Sequence, residues 1–245
     1  MYLKTKGLVL RVTDYNDKDA FLTLLTPNNG KLTVKARGLR RKNSLLTAPC
    51  QLLAYGDYTL FEYKGSFVIN EAYSLELFPH LRRDLAKLSL GTYFAQVAEL
   101  LSQEDMPNPE LLSLVLNCLY VLNRGMEECR IKAVFELRCA CLAGYMPELS
   151  GCRCGSETPV LFDLSAGSFV CQRCKNAGSG NIRMPVTAGV FGAMRYICLC
   201  DAKKLFSFDL GQENMRLLEQ ISEAYLTTQL ERGFSTLDFY KSLLI

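Results

Sequence analysis

The stretch Lys31-Leu32-Thr33-Val34-Lys35-Ala36-Arg37-Gly38-Leu39-Arg40-Arg41-Lys42-Asn43-Ser44 contains six basic residues and no acidic residue. Apolar and basic positions alternate as far as Arg37, and on a β-strand such alternation places the two kinds of side chain on opposite faces. We therefore predict a strand with one buried face and one cationic face. Gly38 ends the strand, and the loop that follows keeps three more cations close together.

This cationic stretch has two interpretations. Polyanion binding needs several Lys and Arg side chains with no carboxylate to compete, which predicts a nucleic-acid-binding set. Its members are Lys31, Lys35, Arg37, Arg40, Arg41 and Lys42. Lysines also protect exposed sheet edges from aggregation, so the same pattern is typical of a solvated edge strand. Charge distribution favours nucleic acid, because residues 1–50 hold ten Lys or Arg against three Asp, and the rest of the chain is slightly acidic.

Residues 1–78 contain five runs rich in Val, Leu, Thr, Tyr and Phe, at 3–12, 20–25, 32–37, 52–63 and 67–75. The segment Thr26-Pro27-Asn28-Asn29-Gly30 has the residues of a hairpin turn between the second and third runs. Five short strands in so few residues predict a small closed barrel of the OB-fold type. Such barrels stack bases on aromatic rings, and the candidate rings are Tyr15, Tyr55, Tyr58, Phe61 and Tyr63, most of which we expect to pack.

After residue 79 the apolar residues recur every three to four positions, which predicts helices. The predicted helices span 81–101, 110–123, 128–143, 184–196, 214–229 and 236–244, and we expect the first three to form an antiparallel bundle. The fold class is thus α+β and multidomain. A DNA-binding barrel (1–78) precedes a helical domain (79–245), which is interrupted at 150–180 by an insertion.

The insertion contains Cys152-Arg153-Cys154 and, after sixteen residues, Cys171-Gln172-Arg173-Cys174. Two close cysteine pairs at this separation predict a zinc ribbon, in which Cys152, Cys154, Cys171 and Cys174 bind one zinc ion. Four thiolates would leave no open coordination position, so the zinc would be structural. The first pair is one residue shorter than the usual Cys-x-x-Cys. The alternative is that the four cysteines are small core residues and bind no metal.

The sequence lacks the motifs of the common enzyme classes. It has no phosphate-binding glycine loop, no HExxH and no nucleophile elbow, so we predict neither a nucleotide cofactor nor an enzyme. With eleven cysteines, no secretory signal and no long apolar run, a reducing cytoplasm is expected. A thiol enzyme that uses Cys50, just after the basic loop, is a competing hypothesis.

Four cations, Arg124, Arg130, Lys132 and Arg138, lie along or beside the third predicted helix. They fit a solvated face paired with nearby glutamates, namely Glu127, Glu128 and Glu136. They also fit a docking surface for an acidic peptide. Periodicity alone does not decide between these two interpretations.

Several ordered stretches resemble the RecO family of bacterial recombination and repair proteins. They are Gly7-Leu8-Val9-Leu10-Arg11, Leu22-Thr23-Leu24-Leu25-Thr26, Gly30-Lys31-Leu32, Ala36-Arg37-Gly38-Leu39-Arg40-Arg41, and Gly144-Tyr145-Met146-Pro147-Glu148-Leu149 just before the first cysteine pair. The resemblance implies a mediator that needs no ATP, binds single- and double-stranded DNA and anneals complementary strands. It also implies partnership with RecR and with the acidic C-terminal tail of single-strand DNA-binding protein, to load RecA, at the nucleoid.

Carried over to this chain, the resemblance assigns DNA contacts to Lys35, Arg37, Arg40, Arg41 and Lys42, and a zinc site to the four cysteines. It assigns no docking residue for the acidic tail. The competing interpretation from the residues is a non-enzymatic interaction module with a structural zinc site and no DNA activity.

Overall fold

The structure, a computed structural model, describes residues 1–176 and 182–244. The chain forms two compact units. The first, here called the barrel unit, is Met1–Arg124 with Phe234–Ile245, and the second, the ribbon unit, is Gly125–Gly233. Part of the predicted insertion, 177–180, lies outside the described residues. The predicted division into domains at residue 78 stays a prediction.

Five strands of the barrel unit close into a barrel in the order β1-β2-β3-β5-β4. Neighbours pair antiparallel except β3 and β5, which are parallel. This arrangement confirms the predicted five-stranded, OB-like barrel. The strands are β1 (Tyr2–Asp14), β2 (Ala20–Thr26), β3 (Gly30–Ala36), β4 (Tyr55–Tyr63) and β5 (Ser66–Glu76).

The hairpin between β2 and β3 is closed by side-chain and backbone hydrogen bonds. The Thr26 hydroxyl donates to the Gly30 carbonyl at 2.8 Å and accepts from the Asn29 amide at 3.1 Å. Gly30 has φ of 62°, a conformation that L-residues adopt at a cost. On β3, Leu32, Val34 and Ala36 are buried in the barrel core, so the predicted apolar face is confirmed.

We expect Gly30→Ala to destabilise the barrel unit by about 2 to 4 kcal/mol. The free-energy cost of a left-handed backbone conformation and the cost of a steric clash would add. A Cβ on Gly30 would lie 2.5 Å from the carbonyl oxygen of Met106 and closer still to that of Gln103. Gly65→Ala is the matched control, since Gly65 has φ of 74° but nothing near its Cβ position. It should cost only about 1 kcal/mol in urea denaturation. Equal losses for the two variants would contradict the clash.

The fourth predicted strand begins too early in the sequence. Residues 52–54 are turn and irregular backbone, and β4 starts at Tyr55. Leu53 has φ of 61°, which a strand cannot accommodate. The segment is instead held to β1, where the Leu53 amide donates to the Val9 carbonyl and the Val9 amide to the Ala54 carbonyl, both at 2.9 Å. Leu52-Leu53-Ala54 contains neither Gly nor Pro, so the sequence gives no sign of this kink.

Three helices complete the barrel unit: α1 (Leu85–Leu101), α2 (Pro109–Asn123) and α6 (Ser235–Ser242). α1 packs against α2, α6 and β1. Asp84 and Asn108 cap the first turns of α1 and α2 with their side chains. The expected bundle of the first three helices is wrong, because α3 (Glu128–Leu142) belongs to the ribbon unit and packs there against two later helices.

Those partners are α4 (Ala188–Leu199) and α5 (Gln212–Gln229). The ribbon unit also contains a three-stranded sheet in the order β7-β6-β8, with β6 (Pro159–Asp163), β7 (Ser168–Cys171) and β8 (Arg183–Pro185). β8 replaces the start of the helix predicted from residue 184. α4 begins later, with the Thr187 hydroxyl capping the Val190 amide. None of the described helices is both long and apolar enough to cross a membrane.

Candidate nucleic-acid interface and candidate metal centre

The basic loop after β3 is fixed to the loop between β1 and β2. Asp19 accepts the Gly38 amide at 2.8 Å, and the Arg40 amide donates to the Lys18 carbonyl at 3.0 Å. The Gly38 N–H is the main reason that the pKa of Asp19 lies below its usual range, with Lys35 and Asn16 adding to the effect. The ionised Asp19 carboxylate therefore helps to hold the basic loop in one conformation.

Lys31 is used by the fold itself. Its ammonium donates to the Glu99 carbonyl at 3.0 Å, and its amide donates to the Gln103 carbonyl at 2.9 Å. The Glu99 carbonyl lies in the last turn of α1, where the helix dipole favours a cation, and Gln103 follows the end of that helix. Lys31 is therefore an anchor between β3 and α1 rather than an open cation.

Lys35 and Arg40 lie at the surface but are paired. The Lys35 ammonium is 3.4 Å from Asp19 and 4.4 Å from the centre of the Tyr15 ring. Arg40 donates twice to Asp14, at 2.7 and 3.0 Å. Surface ion pairs of this kind contribute little to stability, so a phosphate can compete for the cation at small cost.

Arg37, Arg41 and Lys42 differ from the other three predicted residues. Their side chains are exposed, and none has an ion-pair partner within the described parts of the chain, 1–176 and 182–244. We call them the loop cations. These three charges lie within six consecutive residues, and closely spaced cations can neutralise neighbouring phosphates.

The structure separates the aromatic residues that the sequence grouped together. Tyr58 is buried, with its hydroxyl donating to the Pro49 carbonyl at 2.6 Å, whereas Tyr15, Phe61 and Tyr63 are exposed. Tyr2 on β1, which the sequence did not single out, lies opposite Phe61 on β4, and the two ring centres are 5.3 Å apart. The strand register brings these rings together, and the sequence alone does not reveal that register.

The four predicted cysteines converge on one point. Their Sγ atoms all lie within 4.8 Å of one another, and Cys154 Sγ is 3.6 Å from Cys152 Sγ and 3.5 Å from Cys171 Sγ. Zinc–thiolate bonds of about 2.3 Å in a tetrahedron place sulfur atoms about 3.8 Å apart. The geometry and the soft donor set therefore fit a tetrahedral metal ion.

Both knuckles are tight backbone turns. The Gly155 amide donates to the Cys152 carbonyl at 2.8 Å, and the Cys174 amide to the Cys171 carbonyl at 3.1 Å. Backbone N–H groups, that of Cys174 foremost, lower the pKa of the Cys171 thiol to about 6. The thiolate is the form that binds metal, so the folded backbone favours coordination. Gly155, with φ of 87°, lets the shortened first knuckle turn.

The cysteine cluster is joined to the core of the ribbon unit by aromatic side chains. Cys152 forms a β-bridge with Phe169, whose ring lies 4.7 Å from that of Phe162. The Phe169 ring lies 4.6 Å from that of Phe191 on α4, and the Phe162 ring lies 5.1 Å from that of Tyr225 on α5. A metal ion here would therefore stabilise the sheet that α4 and α5 pack against.

Lys132, one of the predicted docking residues, lies in the interior of the ribbon unit. Its side chain is 1% exposed, and its ammonium lies 3.0 Å from Glu136 and 2.7 Å from Glu223, with Glu219 at 3.9 Å. Glu136 is itself fully buried and also accepts from the Ser222 hydroxyl at 2.9 Å. Lys132 thus faces carboxylates of α3 and α5.

The other three docking candidates have different surroundings. Arg130 donates to the Phe208 carbonyl, and Arg138 donates to the Cys198 carbonyl at 3.0 Å near the end of α4. Arg124 is exposed, lies over the Tyr120 ring and belongs to the barrel unit. The docking prediction therefore concerns Arg124, Arg130 and Arg138, of which two hold backbone carbonyls.

Cys50 does not have the setting that a reactive thiol requires. It is buried in the barrel core, and burial raises the pKa of its thiol to about 12. The structure gives no support to the thiol-enzyme hypothesis.

Two family models match nearly the whole chain in order. The model described as "Recombination protein O N terminal" matches residues 1–78, and "Recombination protein O C terminal" matches residues 82–238. The chain belongs to the RecO family. The first RecO match covers the barrel and its loop cations, and the second covers α1 to α5, the ribbon and the four cysteines.

Individual proteins agree with the RecO family assignment. The chain is 32% identical over 246 residues to "DNA repair protein RecO" of Acetivibrio thermocellus, covering 99% of this chain and 97% of that protein. The proteins of the same name from Halalkalibacterium halodurans and Bacillus subtilis are 29% and 28% identical over 227 residues. Those alignments cover 92% of this chain and 89% and 88% of the two relatives.

Proposed function

We propose that this RecO-family chain is a non-enzymatic DNA repair and recombination mediator. It binds single- and double-stranded DNA, anneals complementary strands and helps to load RecA onto DNA coated with single-strand DNA-binding protein. The observation that carries the proposal is the set of loop cations, Arg37, Arg41 and Lys42, exposed and without ion-pair partners in the described parts of an OB-like barrel. The site of action is the nucleoid, in the cytoplasm.

The physical chemistry of annealing supports a protein without catalytic residues. Two complementary strands repel each other through their phosphates, and cations on a protein surface reduce that repulsion and release condensed counterions. Base pairing then supplies the free energy, so no bond is broken and no nucleotide is consumed. A fixed cationic loop on a small barrel is sufficient for this task.

The test is annealing of two complementary oligonucleotides by the purified full-length chain, without nucleotide and without divalent cation, followed by energy transfer between end labels. We expect annealing faster than the spontaneous rate, with single-strand affinity that falls steeply as salt is raised. An unchanged annealing rate together with no DNA binding at 50 mM salt would overturn the proposal. That result would favour the alternative, an interaction module without DNA activity.

For the cysteine centre we propose one structural zinc ion, held by Cys152, Cys154, Cys171 and Cys174. Bound zinc would cross-link the two knuckles and exclude other pairings of the thiols. The four sulfur donors leave no position for substrate, so the proposed role is stability of the ribbon unit rather than chemistry.

We expect the purified chain to contain one zinc ion, and the double variant Cys171→Ser/Cys174→Ser to contain less than a tenth of that, because a hydroxyl is a poor zinc ligand. The zinc content is measured by mass spectrometry. The zinc that is released when a reagent modifies the thiols is measured as well. The control is Cys200→Ser, outside the cluster, which should retain full zinc. Chelation should also lower the unfolding temperature of the wild type. A zinc-free wild-type chain whose unfolding does not respond to added zinc would contradict the site.

RecR and the acidic C-terminal tail of single-strand DNA-binding protein are the proposed protein partners. An acidic tail requires accessible cations, and among the predicted docking residues Arg124 is the most exposed. Titration of a labelled acidic tail peptide with the wild-type chain tests this partnership. Absence of peptide binding at low salt would contradict the proposed partnership.

A further inference from the structure

The outer face of β1, β4 and β5 exposes a cluster of three aromatic rings. Tyr2, Phe61 and Tyr63 are 61%, 38% and 57% exposed, and an exposed apolar patch is a common feature of binding sites. We call these three residues the aromatic platform. With Val68, Asn70 and Arg37 they line a groove of about 420 Å³. This volume lies in the range of pockets that hold small organic groups.

The β-sheet register explains how these residues come together. Tyr2 lies opposite Phe61, and Phe61 lies opposite Val68, so two rings and one aliphatic side chain are neighbours on the same face. β3 runs parallel to β5 with Lys35 opposite Val68, which brings Arg37 to the edge of the groove. The groove is therefore lined by three strands of the barrel, β1, β4 and β5, and by Arg37 at the start of the basic loop.

The chemistry of the groove suits one kind of occupant. Exposed rings provide π faces, Asn70 provides an amide that both donates and accepts hydrogen bonds, and Arg37 provides a charge at the rim. Lys64, 5.4 Å from the centre of the Tyr63 ring, adds a second cation. Rings beside cations are what single-stranded nucleic acids require, since bases stack while phosphates are neutralised.

The acidic side chains of the same strands do not line this groove. Glu62 lies between Phe61 and Tyr63 on β4, so strand alternation directs it away from the two rings. Glu71 and Asp57 line a neighbouring groove, where Lys4 and Lys6 offset their charge. The aromatic platform therefore carries no carboxylate that would repel a phosphate.

We propose that the aromatic platform is a stacking site for unpaired nucleobases of single-stranded DNA, and that Arg37 belongs both to this site and to the loop cations. This proposal rests on the proposed DNA-binding function and adds to it a base-dependent contact that a duplex, with its bases stacked inside, does not make. The chain would then distinguish single strands from duplexes by their bases, although both present the same phosphates to the loop cations.

The test compares three ligands of equal phosphate number: a thymine oligonucleotide, an abasic strand and a duplex. We expect the wild type to bind the thymine strand about tenfold or more tightly than the abasic strand, because one stacked base contributes a factor of roughly 5 to 150 in affinity. The variant Tyr2→Leu/Phe61→Leu/Tyr63→Leu keeps apolar area but removes the π faces. It should lose this preference while its abasic-strand and duplex affinities change less than threefold.

A matched control removes the same number and kind of exposed rings elsewhere. Tyr120, Tyr145 and Phe239 are exposed to a similar degree, and Tyr120→Leu/Tyr145→Leu/Phe239→Leu should keep the preference for the thymine strand. A second measurement needs no variant. A strand with 2-aminopurine should lose fluorescence when it binds the wild type, because stacking on a ring quenches that base.

The outcomes separate this proposal from the proposed function. Binding of thymine and abasic strands with equal affinity, or unchanged 2-aminopurine fluorescence, would overturn the stacking site and leave DNA binding intact. A platform variant that loses affinity equally for all three ligands would also overturn it, since the effect would then be on the fold or on phosphate contacts. No binding of any ligand by the wild type would overturn the proposed function itself.

Discussion

Replacement of Arg37, Arg41 and Lys42 together by alanine is expected to weaken single-stranded DNA binding about 100-fold at 0.1 M salt. Each phosphate contact to a single strand contributes about 0.7 to the slope of log affinity against log salt, so three contacts contribute about 2. The same replacement should therefore make that slope shallower by about 2. Fluorescence anisotropy of a labelled oligonucleotide across a salt series measures both quantities.

The control for this prediction is a triple variant with the same loss of charge elsewhere. Lys203, Arg216 and Arg232 are exposed residues of the ribbon unit. Their replacement by alanine should change affinity less than threefold if the loop cations are the DNA surface. Equal losses in the two triple variants would show that net charge, not the basic loop, governs binding. Equal affinity of the loop variant and the wild type would place the DNA site elsewhere.

The second large effect is expected at Lys132. We expect Lys132→Met to destabilise the ribbon unit by about 3 to 5 kcal/mol, because it leaves a buried carboxylate without its cation. Glu136 is fully buried beside Lys132, and Glu223 lies on the other side of the ammonium. Urea denaturation followed by circular dichroism measures the loss.

Two further variants make the Lys132 prediction specific. The double variant Lys132→Met/Glu136→Met should recover most of the lost stability, since an apolar pair of similar volume often replaces a buried ion pair without cost. Lys203→Met, at an exposed position, should change stability by less than about 0.5 kcal/mol. A single Lys132 variant as stable as the wild type would contradict the buried ion pair.

The pH dependence of this ion pair has a definite sign. Burial lowers the pKa of Lys132, but the nearby carboxylates of Glu136 and Glu223 outweigh burial, so the pKa lies above its ordinary value. A raised pKa means that the folded chain holds this proton more tightly than the unfolded chain does. The stabilisation is therefore complete at neutral pH and is lost only as strongly alkaline pH passes the folded pKa.

Local patterns in the sequence were sufficient for the barrel and the cysteine centre. Alternation at Leu32, Val34 and Ala36, together with a strong turn before Gly30, determines a strand and its buried face within a dozen residues. The cysteine spacing likewise specifies two knuckles joined by a hairpin. In both cases the partners lie close in sequence, so short-range chemistry predicts the contact.

Long-range contacts explain what the sequence did not reveal. Lys132 and Glu136 have the spacing of an exposed pair on a helix, and only α5, some 90 residues later, buries them. In the sequence Lys31 belongs to the predicted cationic face, but in the structure its ammonium binds a carbonyl near the end of α1. β8 is three residues long, too short to show a period. Tyr2 joins Phe61 only through strand register.

The return of the chain to the barrel unit at Phe234 has a consequence for how this protein is made. Phe234 packs against Tyr93 with ring centres 5.5 Å apart, so the last residues complete a hydrophobic core whose other members are synthesised first. At about 5 to 20 residues per second, the ribosome needs on the order of 5 to 20 s to pass through Gly125–Gly233. We expect the apolar surface around Tyr93 to stay exposed on the nascent chain during that interval, until α6 emerges.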